Sequence, residues 1–239
     1  MKKLVFVFAA FLAAFSVSAQ NNKTNSTDIM NRAGDHIMFQ LGSDIWLNAP
    51  DSISSHKKGL SRSANLYVMT NKVFKSDKRF SAAFGLGVST SNMYFKTLDV
   101  GITATTTKLP FTNLDSSNRF KKYKLTTAFL EVPVELRFTN DAQNPNKSVK
   151  AAIGIKVGTL LSVHTKGKTL QNKNNTTVSN YIQKQNDKRY FNGTRLSVTG
   201  RVGYGNYSLF ASYSINNLLK DGVGPDIKPL QVGLCISGL

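Results

Sequence analysis

The 239-residue chain is poor in the groups that build covalent frameworks and cofactor sites. It has one cysteine, Cys235, and three histidines, so an intrachain disulfide is excluded. The motifs H-E-x-x-H, C-x-x-C and G-x-S-x-G are missing from it. We therefore expect no cofactor, no metal ion and no conventional catalytic centre, and we interpret Cys235 as a packing residue.

Long apolar runs are scarce as well, and the longest lies at the N-terminus. Met1-Lys2-Lys3 is basic, residues 4–15 are apolar, and Val17-Ser18-Ala19 fits a signal-peptidase site. We predict a signal peptide over residues 1–19, cleaved near Ala19. No later run approaches the ~18 uninterrupted apolar residues of a membrane-spanning helix. The remaining chain is then periplasmic, secreted or an outer-membrane barrel.

Acidic residues are few. The chain has 13 Asp and Glu against 31 Lys and Arg, a formal net charge of +18 that falls to +16 without Lys2 and Lys3. In a secreted chain this excess favours anionic surfaces over nucleic acid as partners. Lipopolysaccharide phosphates and acidic envelope proteins are the partners we expect, besides the lipid itself.

What the sequence does contain is alternation. In LTTAFLEVPVELRF, residues 125–138, apolar side chains alternate strictly with a set that includes Glu131, Glu135 and Arg137. A period of two predicts a strand with two different faces. In a soluble lipocalin-like barrel the charged face would meet water. In an outer-membrane barrel the apolar face meets lipid and the charges point into the lumen.

Eight alternating runs follow one another after residues 20–35, which we interpret as a flexible periplasmic extension. Long polar connections follow every odd run and short ones every even run, which is typical of outer-membrane barrels. We predict that residues 36–239 form an all-β domain, an eight-stranded antiparallel transmembrane β-barrel with up-and-down connections. The runs are residues 37–47, 64–74, 80–95, 125–138, 149–164, 194–204, 207–216 and 230–239.

Charges on the inward faces must be paired, because eight strands leave room only for side chains and an unpaired buried charge costs several kcal/mol. Folding the hairpin about residue 143 predicts Lys156 near Glu131, and Lys150 near Glu135 and Arg137. We also expect a local bulge or a water-satisfied carbonyl at Pro133, which cannot donate to the ladder. The predicted structural network comprises Asp44, Glu131, Glu135, Arg137, Lys150, Lys156, Arg195 and Arg201. Catalysis by paired Glu131 and Glu135 is the less favoured alternative.

The strand FLEVPVELRF, Phe129 to Phe138, together with the signal peptide and the eight runs, resembles the PorT-like group of outer-membrane β-barrel proteins. Its sharpest part is Leu130-Glu131-Val132-Pro133-Val134-Glu135-Leu136. The architecture of that group is similar to OmpX and OmpA barrels, and the resemblance covers essentially all of the chain after the signal peptide. It implies a barrel, and in some members an accessory role in protein secretion.

We predict a non-enzymatic outer-membrane scaffold or partner-binding accessory protein with a lumen plugged by side chains, acting in envelope assembly or secretion. A small-solute channel is the alternative. A surface enzyme, with His56 or His164 beside a serine or aspartate, is less favoured. Basic loop residues are candidates for contact with an anionic partner: Lys108, Arg119, Lys121, Lys122, Lys166, Lys168, Lys173, Lys184, Lys188 and Arg189.

Overall fold

The computed structural model describes residues 37–237, and nearly all regular structure in them is strand. One short helix, α1 (Asp51–Ser54), and one 3-10 turn (Pro145–Lys147) interrupt the strands. In chain order the strands are β1 (Ile37–Leu47), β2 (Arg62–Val73), β3 (Phe80–Phe95), β4 (Leu98–Val100), β5 (Phe111–Asn113), β6 (Arg119–Thr139), β7 (Val149–Gln171), β8 (Thr177–Asn186), β9 (Thr194–Tyr204), β10 (Tyr207–Ser214) and β11 (Lys228–Ser237).

Eight of these strands close into an antiparallel barrel. Their order is β6-β3-β2-β1-β11-β10-β9-β7, and a further pairing of β6 with β7 closes the ring. This confirms the predicted all-β, eight-stranded, up-and-down architecture. Within residues 37–237, no helix is both long enough and apolar enough to cross a membrane. The predicted signal peptide, the extension at 20–35 and His36 lie outside the described residues.

The two ends of the barrel differ in their connections. Short segments, residues 74–79, 140–148 and 205–206, join strands at what we call the turn end. Residues 48–61, 96–118, 172–193 and 215–227 join them at the opposite loop end. The sequence predicts long polar connections without regular structure at the loop end. The structure instead has α1, the β4–β5 hairpin and β8 there.

The outer wall of the barrel is apolar. Phe84 is 41% exposed, Val134 47% and Ile155 47%, although each lies in the middle of a long strand. Polar and charged side chains are buried inside. This is the reverse of a soluble lipocalin-like barrel and is the arrangement of a wall that faces lipid.

One bulge changes which side chains point inward. Along β6 and β7 the register shifts between Ala128 and Phe129, which pair with Ser162 and Leu160, so Leu161 is the extra residue. Val163 therefore turns inward and is only 1% exposed, whereas strict alternation from Val149 onward would put it on the lipid face. Pro133 lies in register with Lys156, so of the two alternatives for this position the bulge is excluded.

Candidate functional site

The lumen of the barrel is filled in two layers. The layer nearer the turn end, here called the charge network, consists of Glu131, Glu135, Arg137, Lys156, Arg195, Arg201 and their hydrogen-bond partners. The layer nearer the loop end, here called the apolar plug, is a cluster of buried hydrophobic residues: Trp46, Ile53, Met93, Phe95, Leu98, Val100, Ile102, Leu109, Tyr123, Leu125, Phe129, Leu160, Val163, Tyr190, Phe191, Leu218, Leu219 and Ile227.

Glu131 holds the centre of the charge network and is only 1% exposed. The Arg195 guanidinium donates to its Oε1 through Nε, at 2.8 Å, and also through Nη2. The Tyr67 hydroxyl donates to Oε2 at 2.5 Å. Both oxygens of the buried carboxylate therefore have strong donors, which is the condition for keeping a charge inside a protein.

Glycines on both neighbouring strands make room for this cluster. Glu131 lies opposite Gly87 on β3 and opposite Gly158 on β7. A Cβ atom at Gly87 would collide with the Tyr67 ring, and one at Gly158 would lie 2.9 Å from Glu131 Cγ. Small residues beside the carboxylate thus let Tyr67 and Arg195 reach it from other strands.

Glu135 is the second buried carboxylate of the charge network. It is the next inward-facing residue of β6 after Pro133. Arg137 Nε donates to its Oε2 at 2.9 Å, and Arg201 Nη2 donates to the same oxygen at 3.2 Å. All three side chains are buried. The two carboxylates are therefore each held by guanidinium groups, an arrangement that favours a structural role over acid–base catalysis.

Lys156 lies between the two centres and is 1% exposed. Its Nζ donates to Gln40 Oε1 at 3.2 Å and to the Tyr67 hydroxyl at 3.3 Å, and lies 5.0 Å above the Tyr67 ring. The pairs Pro133 with Lys156 and Thr139 with Lys150 centre the hairpin between residues 144 and 145. The predicted centre at residue 143 was wrong, because the 3-10 turn over Pro145–Lys147 shifts the fold-back point.

Neutral partners of the network were not predicted, although their inward positions were visible in the alternation. Asn65 Nδ2 donates to Gln40 Oε1 at 3.1 Å and to Gln231 Oε1 at 3.2 Å. Ser89 Oγ donates to Asn65 Oδ1 at 2.7 Å and accepts from Arg195 Nη2 at 2.7 Å. These amides and hydroxyls connect strands that the charged side chains alone do not join.

Asp44 differs from the two glutamates. It is buried, at 4% exposure, and lies opposite Gln231 in the β1–β11 pair. Among the described residues neither of its carboxylate oxygens has a hydrogen-bond partner. The structure thus places Asp44 inside the lumen within reach of the charge of Arg195, but its carboxylate forms no hydrogen bond to the network of Glu131 and Glu135.

The apolar plug is built partly from strands and partly from the long connections. Trp46 and Phe95 meet edge to face, with ring centroids 5.8 Å apart. Trp46 is buried here at 5% exposure. The Arg195 guanidinium lies 4.1 Å from the centroid of the Phe129 ring and so links the plug to the charge network.

Hydrogen bonds tie the loop residues over the plug. The Tyr190 hydroxyl donates within 2.6 Å of the Ala104 carbonyl and 2.7 Å of the Thr106 carbonyl. Asn192 Nδ2 donates to the carbonyls of Asn217 and Leu219. Three of the four long connections therefore meet above the barrel.

The basic residues predicted for an anionic partner fall into three groups. Arg119 and Arg189 are bound to other loop-end residues, since Arg119 Nη2 donates to Asn175 Oδ1 at 2.9 Å and Arg189 pairs with Asp187 at 3.3 Å. Lys188 Nζ donates to the Leu161 carbonyl. Lys108 and Lys173 are exposed loop positions, and Lys121 is exposed near the start of β6. The outer face of β6, β7 and β8 carries Lys122, Lys166, Lys168 and Lys184.

A serine, a histidine and an aspartate do meet at the loop end. His56 Nδ1 lies 3.1 Å from Ser55 Oγ, and His56 Nε2 lies 3.6 Å from Asp115 Oδ2. The Ser55 hydroxyl donates to the Asp51 carbonyl at 2.6 Å, which uses its one proton to close the end of α1. The group therefore stabilises a turn, and within residues 37–237 no metal-binding cluster of His, Cys, Asp or Glu is found.

Comparison with known families agrees with this architecture. Residues 13–220 match the model of a family described as outer membrane protein beta-barrel domain. The chain belongs to this family. No curated protein matches the chain. The family match ends before β11, the strand that pairs with both β10 and β1 in this outer-membrane barrel.

Proposed function

We propose that this outer-membrane barrel is a non-enzymatic scaffold whose lumen is closed by its own side chains and which binds partners at its loop end. The observation that carries the proposal is the double filling of the lumen. Glu131, Arg195 and Tyr67 bridge the interior at one level, and the apolar plug fills it at another. A solute would have to displace both layers to pass.

Packing between the layers supports closure. Two cavities that reach Arg195 from the plug side have volumes of only about 10 Å³ each. A cavity of that size holds at most one water. The space beside the buried guanidinium is therefore too small for a hydrated solute.

The orientation follows from the connections. Outer-membrane barrels present short turns to the periplasm and long loops to the outside, so we assign the loop end to the cell exterior. By its resemblance to the PorT-like group, we propose that the scaffold serves protein secretion or envelope assembly. The ordered loop end, rather than the closed lumen, is then the surface through which the protein works.

Strand β8 is the loop-end element best suited to receive a partner. It pairs with β7 and is the last strand in the sheet order, so among the described residues its other edge has no neighbour. Val178 and Ile182 are 55% and 56% exposed. An exposed edge with apolar side chains is a site where a second chain can add a strand.

Single-channel recording of the refolded protein in planar bilayers tests the closed lumen. We expect no stable conductance, because both layers must open together. A steady ohmic conductance in the unmodified protein would show a small-solute channel and overturn the scaffold proposal.

Affinity capture from solubilised outer membranes tests the role of β8. The variant Ile182→Lys should lose a protein that the unmodified barrel retains, because the charge opposes apolar contact at the edge strand. Leu60→Lys is the matched control, since Leu60 is also an exposed apolar residue at the loop end, at 75%. Equal retention by both variants would contradict a partner on β8.

A further inference from the structure

Five lysines share the outer face of three neighbouring strands near the loop end. Across the ladder Lys124 pairs with Lys166, Lys166 pairs with Lys184, and Lys122 pairs with Lys168. Neighbouring strands lie about 4.8 Å apart, and like charges directly opposite one another are destabilising. We call Lys122, Lys124, Lys166, Lys168 and Lys184 the lysine rows.

No carboxylate in the described chain neutralises the lysine rows. None of the five forms a salt bridge with any residue between 37 and 237. Asp187, which follows β8 directly, is paired with Arg189 at 3.3 Å. The barrel therefore concentrates positive charge on one patch of its wall with no internal counter-charge.

Polar and aromatic groups complete the patch on the side of β3. Tyr94 pairs with Lys124 across the ladder, and the Arg62 guanidinium lies 6.0 Å from the centroid of the Tyr94 ring. Lys124 Nζ donates to Asn92 Oδ1 at 2.6 Å. A shallow groove of about 210 Å³ lies among Tyr94, Tyr123 and the four lysines of β6 and β7.

The height of the patch identifies the ligand. On β6 the outward apolar positions run from Phe138 to Ala128, and Lys124 lies four residues farther along the strand. With about 3.4 Å per residue and a tilt near 40°, Lys124 stands ~10 Å above the apolar belt. That is the level of lipid headgroups, and the side chains point sideways from the wall instead of upward from the loop tips.

We propose that the lysine rows bind the phosphate groups of an anionic glycolipid in the outer leaflet. Phosphate supplies the missing counter-charge, and the sugar can lie on Tyr94. The acyl chains of the same molecule then cover the apolar wall below, where Val88 and Leu130 pair on β3 and β6. The site is one-sided, because the outward positions of β9 over Thr194–Tyr204 carry no basic residue. It does not depend on whether the lumen is closed.

Binding of purified lipid A in dodecyl maltoside micelles tests the proposal. The triple variant Lys124→Gln, Lys166→Gln, Lys184→Gln should bind bis-phosphorylated lipid A at least tenfold more weakly than the unmodified barrel. The matched control is Lys108→Gln, Lys173→Gln, Lys220→Gln, which removes the same charge from exposed loop positions at the same end. Its affinity should be unchanged. Equal loss in both triples, or no loss in the first, would overturn the site.

Thermal unfolding gives a second measurement, in which the order of stability of the two proteins should change when lipid A is added. Without lipid A the lysine-row triple variant should unfold at a higher temperature than the unmodified barrel, because the repulsion is gone. With lipid A added, the unmodified barrel should gain stability and the triple variant should not. Dephosphorylated lipid A should stabilise neither. If inorganic phosphate at the same concentration stabilised the barrel as much as lipid A does, the lipid assignment would be wrong.

Discussion

In the charge network each buried carboxylate is held by directional contacts between strands, whereas the apolar plug draws many of its residues from the long connections. Glu131 on β6 meets Arg195 on β9 and Tyr67 on β2. Ile102 and Leu219, both in the plug, come from two different loops. The network is therefore fixed by strand register, and the plug by how the loops fold over the barrel.

The difference teaches that the two layers fail differently. Removing one member of a buried ion pair leaves an uncompensated charge, which costs more than the pair itself contributes. Removing an apolar side chain costs its burial and leaves a cavity that mobile neighbours can partly fill. A substitution that breaks an ion pair in the charge network should therefore cost its full amount of stability at once. Substitutions in the apolar plug should cost stability in proportion to the side chain removed.

The largest effect is expected from Glu131→Gln. The change leaves the buried guanidinium of Arg195 without its carboxylate and removes a negative charge that stabilises the ammonium of Lys156, so we expect a loss of about 4 kcal/mol in the free energy of unfolding. Urea unfolding in lipid vesicles, followed by the heat-dependent gel shift, measures it.

Two controls sharpen that result. The double variant Glu131→Gln, Arg195→Gln should recover part of the loss, because no charge is then stranded beside residue 131. Asp77→Asn breaks the exposed pair with Arg79 at 2.8 Å and should change nothing measurable. An equal loss from Asp77→Asn would mean that burial does not decide the cost.

A smaller effect is expected in the plug from Phe95→Ala. Phe95 is fully buried and contacts Trp46 edge to face, and its loss should cost about 3 kcal/mol. The lumen should stay non-conducting in planar bilayers, because the charge network still bridges it. A conducting Phe95→Ala variant would show that the plug alone closes the barrel.

The loops should respond separately from the wall. Tyr190→Phe removes the hydroxyl that bonds the carbonyls of Ala104 and Thr106, at a cost of about 1 kcal/mol. Amide hydrogen exchange should rise in residues 101–109 and stay unchanged in β9. Tyr213→Phe, on the lipid-facing wall, is the control and should change neither region.

Strand alternation predicted the barrel well. The bounds of β3 and β9 agree with the predicted runs. Strand β9 has an apolar lipid face and a small or polar inner face throughout, and β3 alternates in the same way over residues 80–89. The inward positions of Glu131, Glu135 and Arg201 follow from the same period. Alternation identifies the face of a residue, but it carries no information on which strand faces it across the lumen.

The remainder depends on contacts that the sequence does not encode locally. Arg195, not Lys156, donates to Glu131. Arg195 and Glu131 lie 64 positions apart in the sequence. The bulge at Leu161 exchanges the faces of Ser162 and Val163 without any glycine or proline to mark it. Strand β8 is exposed on both faces, so its sequence does not alternate between apolar and polar residues and resembles a polar loop.

The smallest effect, and the one of opposite sign, is expected at Asp44. Its buried carboxylate has no hydrogen-bond partner among residues 37–237, and the charge of Arg195 offsets its burial only in part. Asp44→Asn therefore removes a poorly compensated buried charge without breaking a hydrogen bond. We expect a gain of up to about 1 kcal/mol, measured by the same urea unfolding. A loss comparable to that of Glu131→Gln would instead place Asp44 in an ion pair, and the line between the charge network and the plug would have to be drawn above it.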